Sequence, residues 1–283
     1  MKLTVSTAQV PKITVYHATA PTCWWSWGYE AAMNRLSLVY GNQIEICLML
    51  STVYEDLAHW MKDNEVTDRS WKQWAQESAK IMGIPIRTDY RSDNEPRSVL
   101  PASLAVLAAQ EQGLKKAARY MRAVLRLSVV EGRDVTKRDG MLAAAREAGL
   151  DENVFLEDNK DEEARKAELE RQGEGFPELP LGFYNIAVSD GANRTVILDN
   201  AFDTSSIEGA IDYLSDGRLT KEAPTDILGY LREHGPAPST EIGRVFAIGG
   251  SGIEARLGGL EKSGKIEKIS LAGAAHWQIS KTK

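Results

Sequence analysis

The sequence predicts an α/β domain followed by a small helical unit closed by a hairpin, and three observations carry that expectation. The chain opens with a strand, a turn, a helix and a second strand, the start of a βαβ arrangement. A long helical stretch then interrupts the strands, which return as a hairpin around Asp190-Gly191. Residues 219–283 read as three short helices and two short strands.

Lys12 to His17 is β-rich, with the strand proper at Ile13–Tyr16, and the run breaks at Ala20-Pro21-Thr22. A helix is expected from Trp27 to Tyr40, Gly41-Asn42 turns the chain, and Ile44–Leu50 is an apolar strand. Residues 51–95 are mixed: Trp60, Trp71 and Trp74 read as packing anchors, and Gly83-Ile84-Pro85-Ile86 as a short extended piece. From Pro101 to about Arg171 the apolar spacing is helical, with Gly149 as a stop and Asp151 as a cap. Several short helices in a row form an insertion at about 96–172. Its last part, Glu157 to Glu170, is a charged and solvated face, with Asp161 set to meet Arg165 and Glu162 to meet Lys166.

Phe183–Val188 and Arg194–Leu198 form the hairpin, and Ser206–Leu214 is a helix capped by Ser205 or Ser206. A polar linker, Asp216 to Pro224, closes a first domain at 1–218 and leads to a second at 219–283. In that second unit Ser239 or Thr240 caps a middle helix, and Ser251-Gly252-Ile253-Glu254 has the capping-box pattern for a third. Three helices and a hairpin spell a small winged helix-turn-helix domain. Its third helix offers only Arg256 and Lys262 beside Glu254 and Glu261, thin for neutralising phosphates. A protein or dimer contact is favoured over DNA.

The net charge of −6 is uneven: nine Lys and Arg face seven Asp and Glu from Leu219 onward, against 25 and 33 before it. The acidic first part argues against nucleic acid there. No apolar run is long enough for a membrane span, and the start of the chain has no sustained apolar segment of the signal-peptide kind. With only two cysteines, the expected location is the cytoplasm. Cys47, in an apolar strand, reads as a core thiol. The four histidines are scattered and no Cys/His cluster has ligand spacing, so no metal is expected.

Cys23 is the residue with chemistry. It stands where the first strand has turned into the mouth of the first helix, and the unpaired N–H groups there stabilise thiolate over thiol. The spacing is C-x-x-S: Ser26 occupies the place of a second cysteine and cannot close a disulfide. His17, at the end of the strand, is either a proton carrier or a backbone-bonded structural histidine.

Ala20-Pro21-Thr22-Cys23-Trp24-Trp25-Ser26-Trp27-Gly28-Tyr29-Glu30-Ala31 resembles the Asp-Pro-x-Cys-x-x-Cys-Trp-x-x-Glu-Pro pattern of the DsbA family, in particular its FrnE-like, dithiol-disulfide isomerase-like branch. Pro101-Ala102-Ser103-Leu104 through Gly113, Val130-Glu131-Gly132-Arg133-Asp134-Val135 and Ala148-Gly149-Leu150-Asp151 are similar to that family's helical insertion. The resemblance covers about residues 12–215 and implies a thioredoxin-like fold. It also implies a cis proline opposite the cysteine, for which Pro177 in Gly175-Phe176-Pro177 and Pro180 after Leu179 are the competing candidates. Ala20 in place of Asp and Ser26 in place of Cys are the departures.

Two readings follow. In the first, the chain is a monothiol thiol-disulfide oxidoreductase or thiol-dependent isomerase or transferase. Cys23 would be the nucleophile and Ser26 a donor to its thiolate, with Trp24, Trp25 and Pro177 or Pro180 lining the substrate. Glutathione or another small thiol would be the cosubstrate that releases the mixed disulfide. In the second, the domain has lost turnover and is a sensor or adaptor whose winged unit meets a protein or DNA, with Trp24, Trp25, Trp27 and Tyr29 as an aromatic surface. Those rings equally fit packing over the turn. The retained cysteine favours the first reading, with a thiol or disulfide substrate, small or protein, as partner and a homodimer compatible with the winged unit.

Overall fold

The structure, a computed structural model, describes residues 12–89, 91, 95–174, 185–199 and 201–281. Strand β1 (Ile13–Thr19) leads through the Ala20–Cys23 turn into helix α1 (Trp24–Tyr40), and a 3₁₀ turn, Gly41–Gln43, delivers β2 (Ile44–Leu50). β1 and β2 are parallel, from Ile13 opposite Ile44 to Thr19 opposite Leu50. After the helical region come β3 (Asn185–Ser189) and β4 (Thr195–Asp199), and the sheet order is β2-β1-β3-β4 with β3 antiparallel to both neighbours. The ninth helix in chain order, α9 (Thr204–Leu214), packs against this hairpin.

Between β2 and β3 lie α2 (Leu57–Asp63), α3 (Asp68–Met82), α4 (Leu100–Gln110), α5 (Leu114–Leu125), α6 (Arg138–Ala148), α7 (Glu152–Asp158) and α8 (Glu162–Glu174). The helical region therefore begins well before the expected insertion. The stretch 51–95 escaped a helical reading because its tryptophans mask the period, although Trp71, Ala75, Ser78 and Met82 form one buried stripe on α3. Thr67 and Ser70 make a reciprocal capping box that starts that helix, and Gly83, at φ +61°, ends it. The segment after Gly83 is not a strand. α4 is buried nearly all round, as its run of alanines and leucines requires.

Helix starts depart from the sequence reading in consistent ways. Asp203, not Ser205 or Ser206, caps α9, its carboxylate accepting from the Ser206 N–H at 2.9 Å. Asp151 caps α7 as expected. Glu162 pairs with Lys166 at 2.7 Å, but Arg165 reaches Glu111 at 2.8 Å instead of Asp161.

The C-terminal unit consists of α10 (Ile227–His234), β5 (Ala237–Pro238), α11 (Ser239–Phe246), α12 (Gly250–Lys262), β6 (Ile266–Leu271) and β7 (Ala274–Ile279), with sheet order β5-β7-β6. Neither α11 nor α12 has a side-chain cap: Pro238 and Gly249 stand at the N-cap positions. The unit is fastened to the body. Gln43 holds the linker by donating to the Thr220 carbonyl at 2.8 Å and accepting from its N–H at 2.9 Å, and the Glu222 N–H donates to the Val39 carbonyl at 2.9 Å. One apolar core runs without interruption from Ile13 and Val15 through α1 to Val245, Phe246 and Trp277.

Polar groups are buried at this seam. Arg122 of α5 donates to Glu241 of α11 at 2.6 Å, to the His234 carbonyl that ends α10 at 2.8 Å and to Glu30 of α1 at 3.3 Å. Its guanidinium lies 5.0 Å from the Trp27 ring. Tyr230 donates to the same Glu241 oxygen and accepts from the Asn34 side chain at 3.2 Å. Burial pushes the Glu30 carboxyl up to about 7, Arg122 pulling it down and Glu241 adding to the rise.

Replacing Arg122 by Met strands two buried carboxylates and is expected to cost about 3–5 kcal/mol, read as a lowered urea midpoint; an unmoved midpoint would show that the cluster is not what joins the units. For Glu30 the folded value lies above the unfolded 4.5, so its contribution is most favourable below 4.5 and is lost as pH rises towards 7. Glu30→Gln should therefore gain on the wild-type protein across that window and run parallel to it above, measured by chemical denaturation at each pH.

Candidate thiol site

The site is made by a tight turn between β1 and α1. Thr22 takes a left-handed φ of +69°, uncommon for a residue with a side chain, and Cys23 follows in extended geometry as the N-cap of α1. The turn is closed by the Cys23 N–H donating to the Ala20 carbonyl at 3.3 Å and by the Ala20 N–H donating to Ser26 Oγ at 3.0 Å. The Cys23 carbonyl accepts from the Trp27 N–H at 3.2 Å and so begins the helix. Ser26 is buried and acts first as an acceptor, which leaves its hydroxyl hydrogen available to the sulfur.

The helix mouth does not win at Cys23. Burial pushes the thiol up, and the Ser26 N–H and hydroxyl and the Trp25 N–H, which draw it down, do not overcome that rise. The sequence expectation of a stabilised thiolate is thus corrected: the N–H groups are present, but the sulfur is only partly exposed and desolvation dominates. Cys47 sits on β2 opposite Tyr16, half-buried, with its thiol also pushed up by burial.

Trp24 and Trp25 pack as core residues, at 7% and 8% exposure. Trp24 meets Trp71 and Trp74 edge-on at 6.4 and 5.3 Å, and Tyr54 and Trp60 extend the cluster. Trp25 stacks on Phe202 at 5.5 Å, and Tyr29 packs between Phe202 and His17. Trp27 is fully buried beneath Arg122. These rings build a wall behind the cysteine more than a surface in front of it. His17 is buried with no hydrogen-bond partner for either ring nitrogen among the described residues, and burial lowers it to about 4. The backbone-bonded alternative is not what the ring shows. Pro177 and Pro180 lie outside the described residues. No group of three metal-ligating side chains occurs among the described residues.

Sequence reasoning missed Phe202, Tyr54 and the Glu30–Arg122 pair. Glu30 lies within the cysteine motif and carried a signal, whereas Phe202 lies 179 positions from Cys23 and has no local pattern.

A β1-turn-α1-β2 unit with a cysteine capping α1, a helical region and an antiparallel hairpin completing one sheet define a thioredoxin-like protein of the DsbA type. The chain belongs to the thioredoxin family, whose model matches residues 16–170. Among curated proteins it is similar to the ClpXP adapter protein SpxH of Shouchella clausii, 22% identical over 278 residues that cover 94% of this chain and 88% of that one. SpxH of Halalkalibacterium halodurans is likewise 22% identical over 289 residues, with the same coverages. Among solved structures the fold is shared with the cytosolic disulfide reductase DsbM from Pseudomonas aeruginosa, at TM-score 0.55 and 21% identity over 72% of this chain and 97% of that one. Coverage of 94% necessarily reaches into the C-terminal unit.

The raised thiol gives a direct expectation. Alkylation of Cys23 by iodoacetamide should be no faster at pH 7 than that of a free cysteine, rising only above the ordinary thiol range of about 8.5. Ser26→Ala should slow it further and cost about 1 kcal/mol through the stranded Ala20 N–H. Mass spectrometry across pH tests both, and fast alkylation at pH 6 would contradict the burial argument.

Proposed function

We propose that this chain is a protein-recruiting adaptor built on a thioredoxin-like body, with Cys23 retained as a slow thiol. The observation that carries the reading is the geometry at Cys23: the thiol is partly withdrawn from water at the turn, and the partner position at 26 holds a buried serine tied into that turn. A turnover enzyme needs an accessible thiolate and a means of resolving the mixed disulfide. The similarity to two ClpXP adapter proteins over 94% of the chain supports recruitment to an unfoldase–protease as the output. In the C-terminal unit, helix–strand–helix–helix–hairpin is the element order of a winged helix. The exposed side of α12 carries Glu254 and Arg256 in balance, and Arg256 already donates to the Thr225 carbonyl, which favours a protein contact over DNA. No helix among the described residues is long and apolar enough to cross a membrane, and a cytoplasmic site of action accords with a protease partner.

A second reading rests on the donors around the sulfur. The Trp25 and Ser26 N–H groups and the Ser26 hydroxyl all favour the thiolate that Cys23 would form. Once formed, that thiolate would attack a substrate disulfide, join one sulfur in a mixed disulfide and release the other as a thiolate. A second thiol, such as glutathione, would then displace Cys23 and carry away the oxidised equivalent.

Reconstitution with ClpXP and a substrate identified by in-cell cross-linking separates the two. Under the adaptor reading this chain accelerates proteolysis of that substrate several-fold, and Cys23→Ser keeps the acceleration. Loss of the acceleration in Cys23→Ser, together with steady glutathione-dependent disulfide reduction by the wild-type chain, would establish the enzyme instead.

A further inference from the structure

A cavity of about 570 Å³ opens where the C-terminal unit meets the body. Its walls come from both: Arg35 on α1, Ile81 at the end of α3, Phe202 and the first turn of α9, and Arg244 and Ala247 at the end of α11. The volume lies in the range of ligand-binding clefts. None of Cys23, Trp24, Trp25 and Ser26 lines it.

Four charged side chains face this space, and three of them are committed. Arg35 donates to Glu208 at 2.8 Å and to the Val245 carbonyl at 3.0 Å, and Glu208 also takes Lys221 at 3.3 Å. Asp203 is occupied as the cap of α9. Arg244 makes no hydrogen bond or ion pair among the described residues, and its Nη1 is buried without a partner. Its Nη2 lies against Gly83, where an added Cβ would stand 2.9 Å away. Asp203 and Glu241 act on it only from beyond ion-pair distance, so this guanidinium, drawn partly out of water, has no hydrogen-bonded carboxylate, and one brought from outside would supply it.

The rest of the groove selects what carries that carboxylate. Ile81 stands at 63% exposure on one wall, and Phe202 closes the space beside it. A free inorganic anion would leave this apolar wall in water, whereas a side chain next to an acidic residue would cover it. We propose that this groove docks a protein partner through an acidic side chain seated on Arg244 and a neighbouring apolar side chain laid on Ile81 and Phe202. The inference rests on the adaptor reading for the partner being a protein, and it adds the place and the chemistry of contact. Because Arg244 comes from α11 and Ile81 from α3, the groove exists only while the two units are joined.

The test is an amide NMR titration of the full chain with acetyl-Leu-Glu-Leu-amide, with acetyl-Leu-Gln-Leu-amide and sodium acetate as comparison ligands. The glutamate peptide should shift the amides of Ser205, Ser206 and Ala247 and bind at least about tenfold more tightly than the glutamine peptide, the ratio expected of a charge-assisted hydrogen bond. Arg244→Gln should bring the two peptides to the same weak affinity, Ile81→Ser should weaken both, and Lys262→Glu, a charge reversal on α12 away from the groove, should change neither. Superimposable amide spectra elsewhere verify the fold of each variant. Equal affinity for the two peptides, or wild-type binding in Arg244→Gln, would overturn the proposal. So would acetate binding as tight as that of the glutamate peptide, which reduces the groove to a simple anion site. A groove that binds while proteolysis is unaffected by the chain sinks the adaptor reading alone. Accelerated proteolysis that is indifferent to Arg244→Gln sinks the groove alone.

Discussion

Arg122 is the charge around which the molecule is organised. It is fully withdrawn from water, so it must be surrounded by acceptors, and those acceptors come from three different helices: Glu30 from α1, the final carbonyl of α10 and Glu241 from α11. A buried ionic cluster of this kind adds little net stability compared with replacing all of its members together by apolar residues of the same shape, although removing one member alone strands the others. What it supplies is uniqueness, since any other docking of the C-terminal unit would leave at least one of these charges unpaired in the core. The continuous apolar core gives the adhesion, and the polar cluster fixes the register.

Helix α1 links everything described here. Its first residue follows Cys23, its first two turns present Trp27 and Glu30 to Arg122, and its later part sends Arg35 to Glu208 and the Val245 carbonyl. The thiol, the seam and the groove are therefore three stations on one rigid rod. In a two-cysteine relative of this fold the start of that helix is the working part. Here the helix is gripped along its length, and the cysteine end is walled in by Trp24, Trp25 and Phe202.

Much of this was legible in the sequence because it is local. The turn at Ala20–Cys23, the β1–α1–β2 order, the hairpin at Asp190-Gly191 and the three-helix C-terminal unit all follow from period and punctuation within short windows. So did the place of the candidate cysteine. The helices between residues 57 and 82 are less legible: Trp71, Ala75, Ser78 and Met82 keep a helical spacing on α3, but Trp60 and Trp74 fall outside that stripe and blur the period. The state of Cys23 is likewise a property of the folded chain: the helix mouth is a sequence feature, whereas the burial that outweighs it exists only once the chain is packed. The differences in capping are smaller: at α9 the cap is Asp203, a near neighbour of the expected serines, while α11 and α12 begin at Pro238 and Gly249 with no side-chain cap. Nothing in the spacing of Glu30, Arg122 and Glu241 announces that they meet.

The tryptophans also have an optical meaning. Of seven, six fall between Trp24 and Trp74, several with rings 5.3 to 6.4 Å apart, while Trp277 stands alone in the C-terminal unit with Lys268 over its face. Rings so close exchange excitation faster than they emit, so the body glows as one collective source and the C-terminal unit as a separate lamp. The tryptophans of the body and Trp277 of the C-terminal unit are thus separate optical reporters of the two halves.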